Sequence, residues 1–307
     1  MPRPDRPTPA LALPLAALAL VAISVATVAA CSDDDGGDDA NDVGTLQTVV
    51  ESNDLAKAID VAAGDGMVWV ATGAGQVLQV SGDGLAEADG LDAVSTVAGI
   101  AASDDGTLFA TDPDRRSLVR YREGSVDDGA VPAVQELSAL AAAADGTVYV
   151  ADHDALQVVS IGADGRVGEL ADDALAGPLT VAPDGTVYYV DDQVLDGQIM
   201  TVPPGGGPEA LTQSVERDDE GNPVEAPSDG ASAGDSYIEA RDLAATDDGV
   251  FVLTFTNEVW RVGNDGELEL VVRRGGDSAL VALGASGDDV YVLDAGTGTL
   301  STIDAPG

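Results

Sequence analysis

Three groups of polar side chains in this chain have the types and spacing to do chemistry. Asp60 in "AIDVAA" and Asp242 in "ARDLAA" are acids inside otherwise apolar runs, with Lys57 and Arg241 close by in sequence. Such acids pair with those cations in a solvated wall, or hold something else. His153, the single histidine, stands between Asp152 and Asp154. Flanked by two carboxylates, it suits a general acid better than a metal ligand, and it also suits an exposed loop with no catalytic role. The third group is Thr72, Asp112, Asp152, Asp191, Thr254 and Asp294, each three residues beyond an aromatic, with Asp114, Asp154 and Asp192 nearby. Asp and Thr in such places cap turns by bonding the backbone, or they ring one face with charge. Gly230-Ala231-Ser232-Ala233-Gly234 fits the nucleophile-elbow pattern, but lies in a polar stretch with no strand before it and no helix after it.

The aromatics that index these positions repeat. Trp69, Phe109, Tyr149, Tyr188, Phe251 and Tyr291 each close a phrase such as "DGTVYVAD" or "DGTVYYVD", at intervals of 40, 40, 39, 63 and 40. A period of this length marks a solenoid, a propeller or an array. Every unit has an Ala, Val and Leu-rich run, an Asp-Gly or related pair, a β-branched and aromatic run, then a second alternating run. Asp-Gly between two such runs predicts a type I′ hairpin, with both central residues at positive φ. No apolar pattern keeps a 3.6-residue period for three turns, which argues against helical repeats. Three or four short antiparallel strands per unit make one blade. The fold class is therefore all-β, a six-bladed β-propeller. The sixth unit, from about Ala279, has space for three strands, while Thr45 to Val50 is an isolated alternating run before the first unit. Pairing the two termini closes the ring and removes an open edge.

The long interval places an insertion at about residues 213–237, between the outer strand of blade four and the inner strand of blade five. That connection opens on the face carrying the loops of Asp112, Asp152, His153, Asp154, Asp191 and Asp294. Tyr237 and Ile238 are the insertion's sizeable anchors. These loops and the insertion form the candidate upper-face binding surface.

Composition limits the partners. Against 13 Lys plus Arg stand 55 Asp plus Glu, a net charge of -42. Nucleic acid and anionic lipid repel such a surface; solubility, cations or basic partners suit it. Arg3 and Arg6 precede an apolar run from Ala10 to Ala30, the form of a secretory signal. Val28-Ala29-Ala30-Cys31 resembles the lipobox of bacterial lipoproteins, which implies cleavage before Cys31 and acylation of its thiol. The domains are then a signal peptide at 1–30, a tether at 31–44 and the propeller at 45–307. The tether, "CSDDDGGDDAND" and on, has too little apolar surface to order itself, and it would let the domain float about 20 Å off the membrane. Cys31 is the one cysteine, so no disulfide supports the fold. The expected location is the outer face of the cell membrane.

"GIAASDDGTLFATDPDRRSLVRY" and "LSALAAAADGTVYVADHDALQVVSI" resemble NHL repeats and, more loosely, the gluconolactonase and streptogramin-lyase propellers, over about residues 58 to 303. Propellers of this type include sensors, scaffolds, lactonases and lyases. The gluconolactonase-like resemblance implies a divalent metal, Ca2+ or Mg2+, held over the channel by acids near Asp60 and Asp242, although no Asn stands in any inner run. Three functions stay open: a ligand- or partner-binding module for a protein, glycan or small molecule, a metal-dependent lactonase or lyase, and a purely structural spacer of the envelope.

Overall fold

The computed structural model describes residues 43–303 apart from 83, 89–90, 92–96, 115, 123, 131–136, 193–196, 214–228 and 237. Cys31, the stretch before residue 43, Tyr237 and most of the insertion lie outside the described residues.

The chain builds six four-stranded antiparallel sheets. Blade one is β2 (Ala58–Gly64), β3 (Met67–Thr72), β4 (Val77–Ser81) and β5 (Gly84–Glu87), and it follows β1 (Leu46–Glu51) in the chain. Blade two is β6 (Ile100–Ala102), β7 (Leu108–Asp112), β8 (Ser117–Arg122) and β9 (Ser125–Ala130). Blade three is β10 (Leu137–Ala142), β11 (Val148–Asp152), β12 (Gln157–Ile161) and β13 (Val167–Ala171). Blade four is β14 (Ala176–Val181), β15 (Val187–Asp191), β16 (Gln198–Val202) and β17 (Glu209–Ala210). Blade five is β18 (Ala240–Thr246), β19 (Gly249–Thr254), β20 (Glu258–Gly263) and β21 (Leu268–Arg273). Blade six takes β22 (Leu280–Ser286), β23 (Asp289–Asp294) and β24 (Thr299–Ile303) from the end of the chain, and its outer strand is β1. Leu46 faces Ile303, Val50 faces Leu300 and Glu51 faces Thr299, so the termini close the ring as the unpaired run predicts.

The repeating aromatic has a packing reason. Its side chain leaves its own sheet and enters the next blade: Trp69 packs with Ile100, Leu108 and Val119, and Phe109 with Leu140, Val148 and Val150. Phe251 meets Leu283 and Val292, and Tyr291 meets Val61 and Val70. The cores therefore lie between blades; that between blades three and four takes Tyr189 as well as Tyr149, and that between blades four and five takes Trp260 as well as Tyr188.

The Asp-Gly turns differ from the type I′ expectation. Only Asp65-Gly66 has both residues at positive φ, 51° and 70°. In blades two to four the loop is one residue longer and glycine alone crosses over, as at Gly146, φ 79°. The Asp holds it: Asp105, Asp145 and Asp184 accept the N–H two residues on, at 3.1, 2.9 and 2.8 Å. An Asx-type bond supplies the turn that a second left-handed residue would otherwise make.

Outer edges attract foreign strands, and blade five covers its own. Gly230 N–H donates to Leu268 O, Leu268 N–H to Ala231 O and Ala233 N–H to Gly266 O. Val43 exchanges both backbone bonds with Arg273 at the other end of β21. Gly44, φ 77°, follows, and a Cβ there would stand 1.9 Å from Val271 O, so only glycine fits. The described end of the insertion, 229–236, therefore runs along the outer edge of blade five. The sequence reading put the insertion over the upper face; hydrogen bonding to an exposed edge strand accounts for the difference in this part.

Closure of the ring should be measurable. Leu300, fully buried between β1 and β23, loses about 2–5 kcal/mol of stability on substitution by Ala. Urea unfolding should show a lowered midpoint with an unchanged slope; an unchanged midpoint contradicts this closure.

Candidate functional site

The six inner strands surround a central cavity of about 450 Å³. Below it a second space of about 50 Å³ meets it at one register level, where Ala63, Ala102, Ala142, Val181, Ala245 and Ala285 each come from a different blade. Five alanines and one valine thus line the narrow lower end, and the wider end opens on the upper face.

An inner strand has its ladder on one side and the lumen on the other, so alternate N–H groups point into the cavity. Asp60 and Asp242 serve these groups. Asp60 Oδ1 accepts from Val61 N–H at 2.8 Å, and its Oδ2 from Ile100 N–H of blade two at 2.7 Å. Asp242 repeats the arrangement one interface away from closure: Oδ1 accepts from Leu243 N–H at 2.9 Å, Oδ2 from Leu283 N–H of blade six at 2.7 Å. Each acid stands just after a bulge, between Ala58 and Asp60 and between Ala240 and Asp242, which turns the side chain along the rim of the lumen. The acids are staples between neighbouring blades. Arg241 is not their ion-pair partner: its guanidinium donates to Leu280 O at 3.0 Å and lies 5.9 Å over the ring of Phe255.

Both carboxyls are ringed by protein although part of each residue remains open to the lumen. For Asp60, burial and then the charge of Asp242 push the acid up to about 8, against the pull of the N–H groups of Ile100 and Val61. For Asp242, burial also raises the acid, opposed by the N–H groups of Leu283 and Leu243 and by Arg241. Burial and the neighbouring acid thus favour the protonated form of these carboxyls.

At the positions three beyond each aromatic the side chains are turned inwards. Asp112, Asp152 and Asp294 are buried, as are Thr72 and Thr254. Asp294 Oδ1 accepts from Ala279, Gly296 and Thr297, at 2.8, 2.9 and 3.2 Å, and Asp152 Oδ1 from Ala155 at 3.2 Å. Burial alone would raise Asp294, but these N–H groups and the hydroxyls of Ser278 and Thr297 outweigh it and hold the acid low. Asp191 is half-buried, and Asp154 is exposed.

The surface of the mouth comes from one residue further on. There stand Gly73, Pro113, His153, Asp192, Phe255 and Ala295. Three of them stand beside the residue that precedes the staple position in their own blade: Gly73 beside Ile59, Asp192 beside Gly177, Phe255 beside Arg241. His153 lines the cavity. Asp192 is raised by burial and by Asp191, and lowered by His153. Phe255 at 61% and Ile59 at 40% are among the few large apolar side chains left exposed. The sequence reading did not pick them out. The signal was a single aromatic, Phe255, at a loop position where the other five units carry Gly, Pro, His, Asp and Ala.

The architecture belongs to the class of six-bladed propellers, and solved structures of that class overlay it. Virginiamycin B lyase from Staphylococcus aureus matches with a TM-score of 0.58 at 12% identity, over 84% of this chain and 98% of that one. A gluconolactonase from Xanthomonas campestris matches at 0.61 and 16%, over 85% and 89%. An auxiliary nutrient binding protein from Bacteroides thetaiotaomicron matches at 0.60 and 10%, over 81% and 69%. No protein-family model and no curated protein matches the sequence. The fold is thus that of gluconolactonase-like and virginiamycin-lyase-like propellers.

The staples make stability depend on pH. In the unfolded chain both acids ionise near 3.8, whereas folded they keep a proton to higher pH. Their contribution is full below pH 3.8 and is lost as pH rises towards about 8. Chemical unfolding at pH 5 and 8.5 should show a larger loss for the wild type than for Asp60→Asn, a comparison that cancels the effect of net charge. Equal losses contradict the raised acid at Asp60. At constant pH, Asp242→Ala orphans two N–H groups and costs about 1–3 kcal/mol.

Proposed function

We propose that this is an extracytoplasmic lipoprotein, held at the outer face of the cell membrane through Cys31, whose propeller binds a small ligand in the upper mouth of its channel. The observation that carries the binding reading is the mouth itself. Ile59, Phe255 and Leu156 are exposed on the upper face, and Arg241 and His153 line the cavity below. Exposed apolar groups around a concave, partly polar opening of this volume are the usual form of a small-molecule site. A nutrient binding protein among the fold neighbours is consistent with it.

The second reading, a metal-dependent lactonase or lyase, is favoured by two lumen carboxyls in one cavity with His153, on a fold shared with a gluconolactonase and virginiamycin B lyase. Asp60 and Asp242 are the residues that would hold Ca2+ or Mg2+, which would act there as a Lewis acid. The fit is poor: all four carboxylate oxygens already accept backbone N–H groups, and no group of three or more His, Cys, Asp or Glu converges among the described residues.

A thermal-shift screen of sugars, lactones, carboxylates and short peptides with the full-length protein separates the readings. A ligand at a hundred times its Kd should stabilise by about 2.7 kcal/mol, and Phe255→Ala or Arg241→Ala should weaken it about tenfold. Stabilisation unaffected by either substitution, or absent throughout, overturns the mouth as the site. Calorimetric one-to-one binding of calcium, lost in Asp60→Ala, establishes the metal reading instead. The lipid anchor is tested separately by intact mass: the mature chain should begin at Cys31 with an added acyl mass, and Cys31→Ser should keep residues 1–30. An unmodified Cys31 rules the anchor out.

A further inference from the structure

The staples define a slot that repeats six times around the ring, and the slots are not all filled. Asp60, Gly99, Ala139, Pro178, Asp242 and Ala282 are equivalent, each one residue before Val61, Ile100, Leu140, Leu179, Leu243 and Leu283 in the inner strands. A carboxylate in a slot bridges its own next N–H and the equivalent N–H of the following blade. Asp60 takes Val61 and Ile100; Asp242 takes Leu243 and Leu283.

Leu140 and Leu179 complete the level. Their N–H groups point the same way, because Ala143 and Ala182 pair through N–H with Thr147 O and Thr186 O across the ladder. Counting back by the two-residue alternation of an antiparallel ladder, Ala141 and Thr180 face the ladder while Leu140 and Leu179 face the lumen. Among the described residues, no side chain is bonded to either group. Of the remaining four slots, Gly99, Pro178 and Ala282 each abut at least one N–H that an Asp already holds. Ala139 alone has both of its N–H groups left over. It follows the same bulge as the two acids, between Leu137 and Ala139, and it keeps part of its surface open to the lumen beside Gly177 and Pro178.

We propose that the lumen between blades three and four is a carboxylate-binding subsite, in which a ligand's carboxylate accepts the N–H groups of Leu140 and Leu179 over Ala139. The ring itself supplies the chemical precedent, since it puts a carboxylate on the same pair of donors twice. The short side chain of Ala139 gives the room; at Gly177 the slot is bounded by Asp192, whose Oδ2 lies 3.0 Å from where a Cβ would stand and whose charge His153 offsets. His153, at the top of blade three, offers a further N–H above the slot, and Arg241 adds positive charge to a lumen that otherwise holds Asp60 and Asp242. The body of the ligand then extends up to Ile59 and Phe255, so the class is a small monocarboxylate with an apolar or hydroxylated body. The proposal rests on the mouth being a ligand site and adds which group enters first.

The test is NMR titration of the full-length protein with sodium acetate, against sodium chloride at equal ionic strength. Saturable shifts are expected at the amides of Leu140 and Leu179, with those of Val61, Ile100, Leu243 and Leu283 unmoved because their acceptors are in place. Ala139→Asp supplies the third carboxylate, so it should abolish the acetate response and raise the unfolding temperature. Should that variant fail to fold, Ala139→Leu fills the slot without an acceptor and must abolish the response as well. Acetate that leaves Leu140 and Leu179 unmoved, or a response that survives filling of the slot, overturns the subsite. If the mouth substitutions still weaken a ligand found by thermal shift, that failure belongs to the subsite alone.

Discussion

The lumen edge of the inner strands is the constraint on which this molecule depends. A sheet folded into a blade satisfies its backbone through its ladder, but the innermost strand always has one side without a partner strand. In an open sheet that side meets bulk water; here six such sides converge on a narrow space. Two carboxylates take four of the converging N–H groups, and in doing so they tie blade one to two and blade five to six. One tie holds the blade made from β1 and β22 to β24 against blade five, and the other lies one interface beyond it. Polar satisfaction and the joining of neighbouring blades are thus one arrangement, and the raised acidity constants are its electrostatic cost.

The same geometry separates structure from surface on the upper face. The third residue after the aromatic caps a turn, as at Thr72, Asp152, Thr254 and Asp294, whereas the fourth can face the opening, as His153 does. The capping side chains are chemically alike, Asp or Thr, because an oxygen acceptor is all the turn requires. The fourth residues have nothing in common, and their diversity is what distinguishes one side of the mouth from another. Arg241 on Phe255, and His153 near Asp192, give blades three to five a polar and aromatic character that Gly73, Pro113 and Ala295 lack.

The blades were legible because each phrase carries its own turn, strand pattern and aromatic, and the closing strand because Thr45 to Val50 had no neighbour to pair with. The distinctiveness of Asp60 and Asp242 was visible as acids in apolar runs. Their partners were not, since a backbone N–H forty residues away leaves no mark in side-chain identity. Counting from the aromatic found the ring of Asp and Thr, but whether the third or the fourth residue faces outwards is decided by the bend of the loop. The part of the insertion along β21 was hidden for the same reason, because hydrogen bonding to an edge strand selects few residue types.

The closure of blade six has a consequence for the order in which the molecule can assemble. β1 is made first and β24 much later, with about the whole domain between them. Closing a chain segment of that length costs about 1.6 kcal/mol more entropy than closing one forty-residue unit. Every other blade can form from residues adjacent in sequence, while the sixth must wait for β24. Until then β1 is an uncommitted strand on a growing arc, and the strong negative charge of the chain keeps neighbouring arcs apart during that interval.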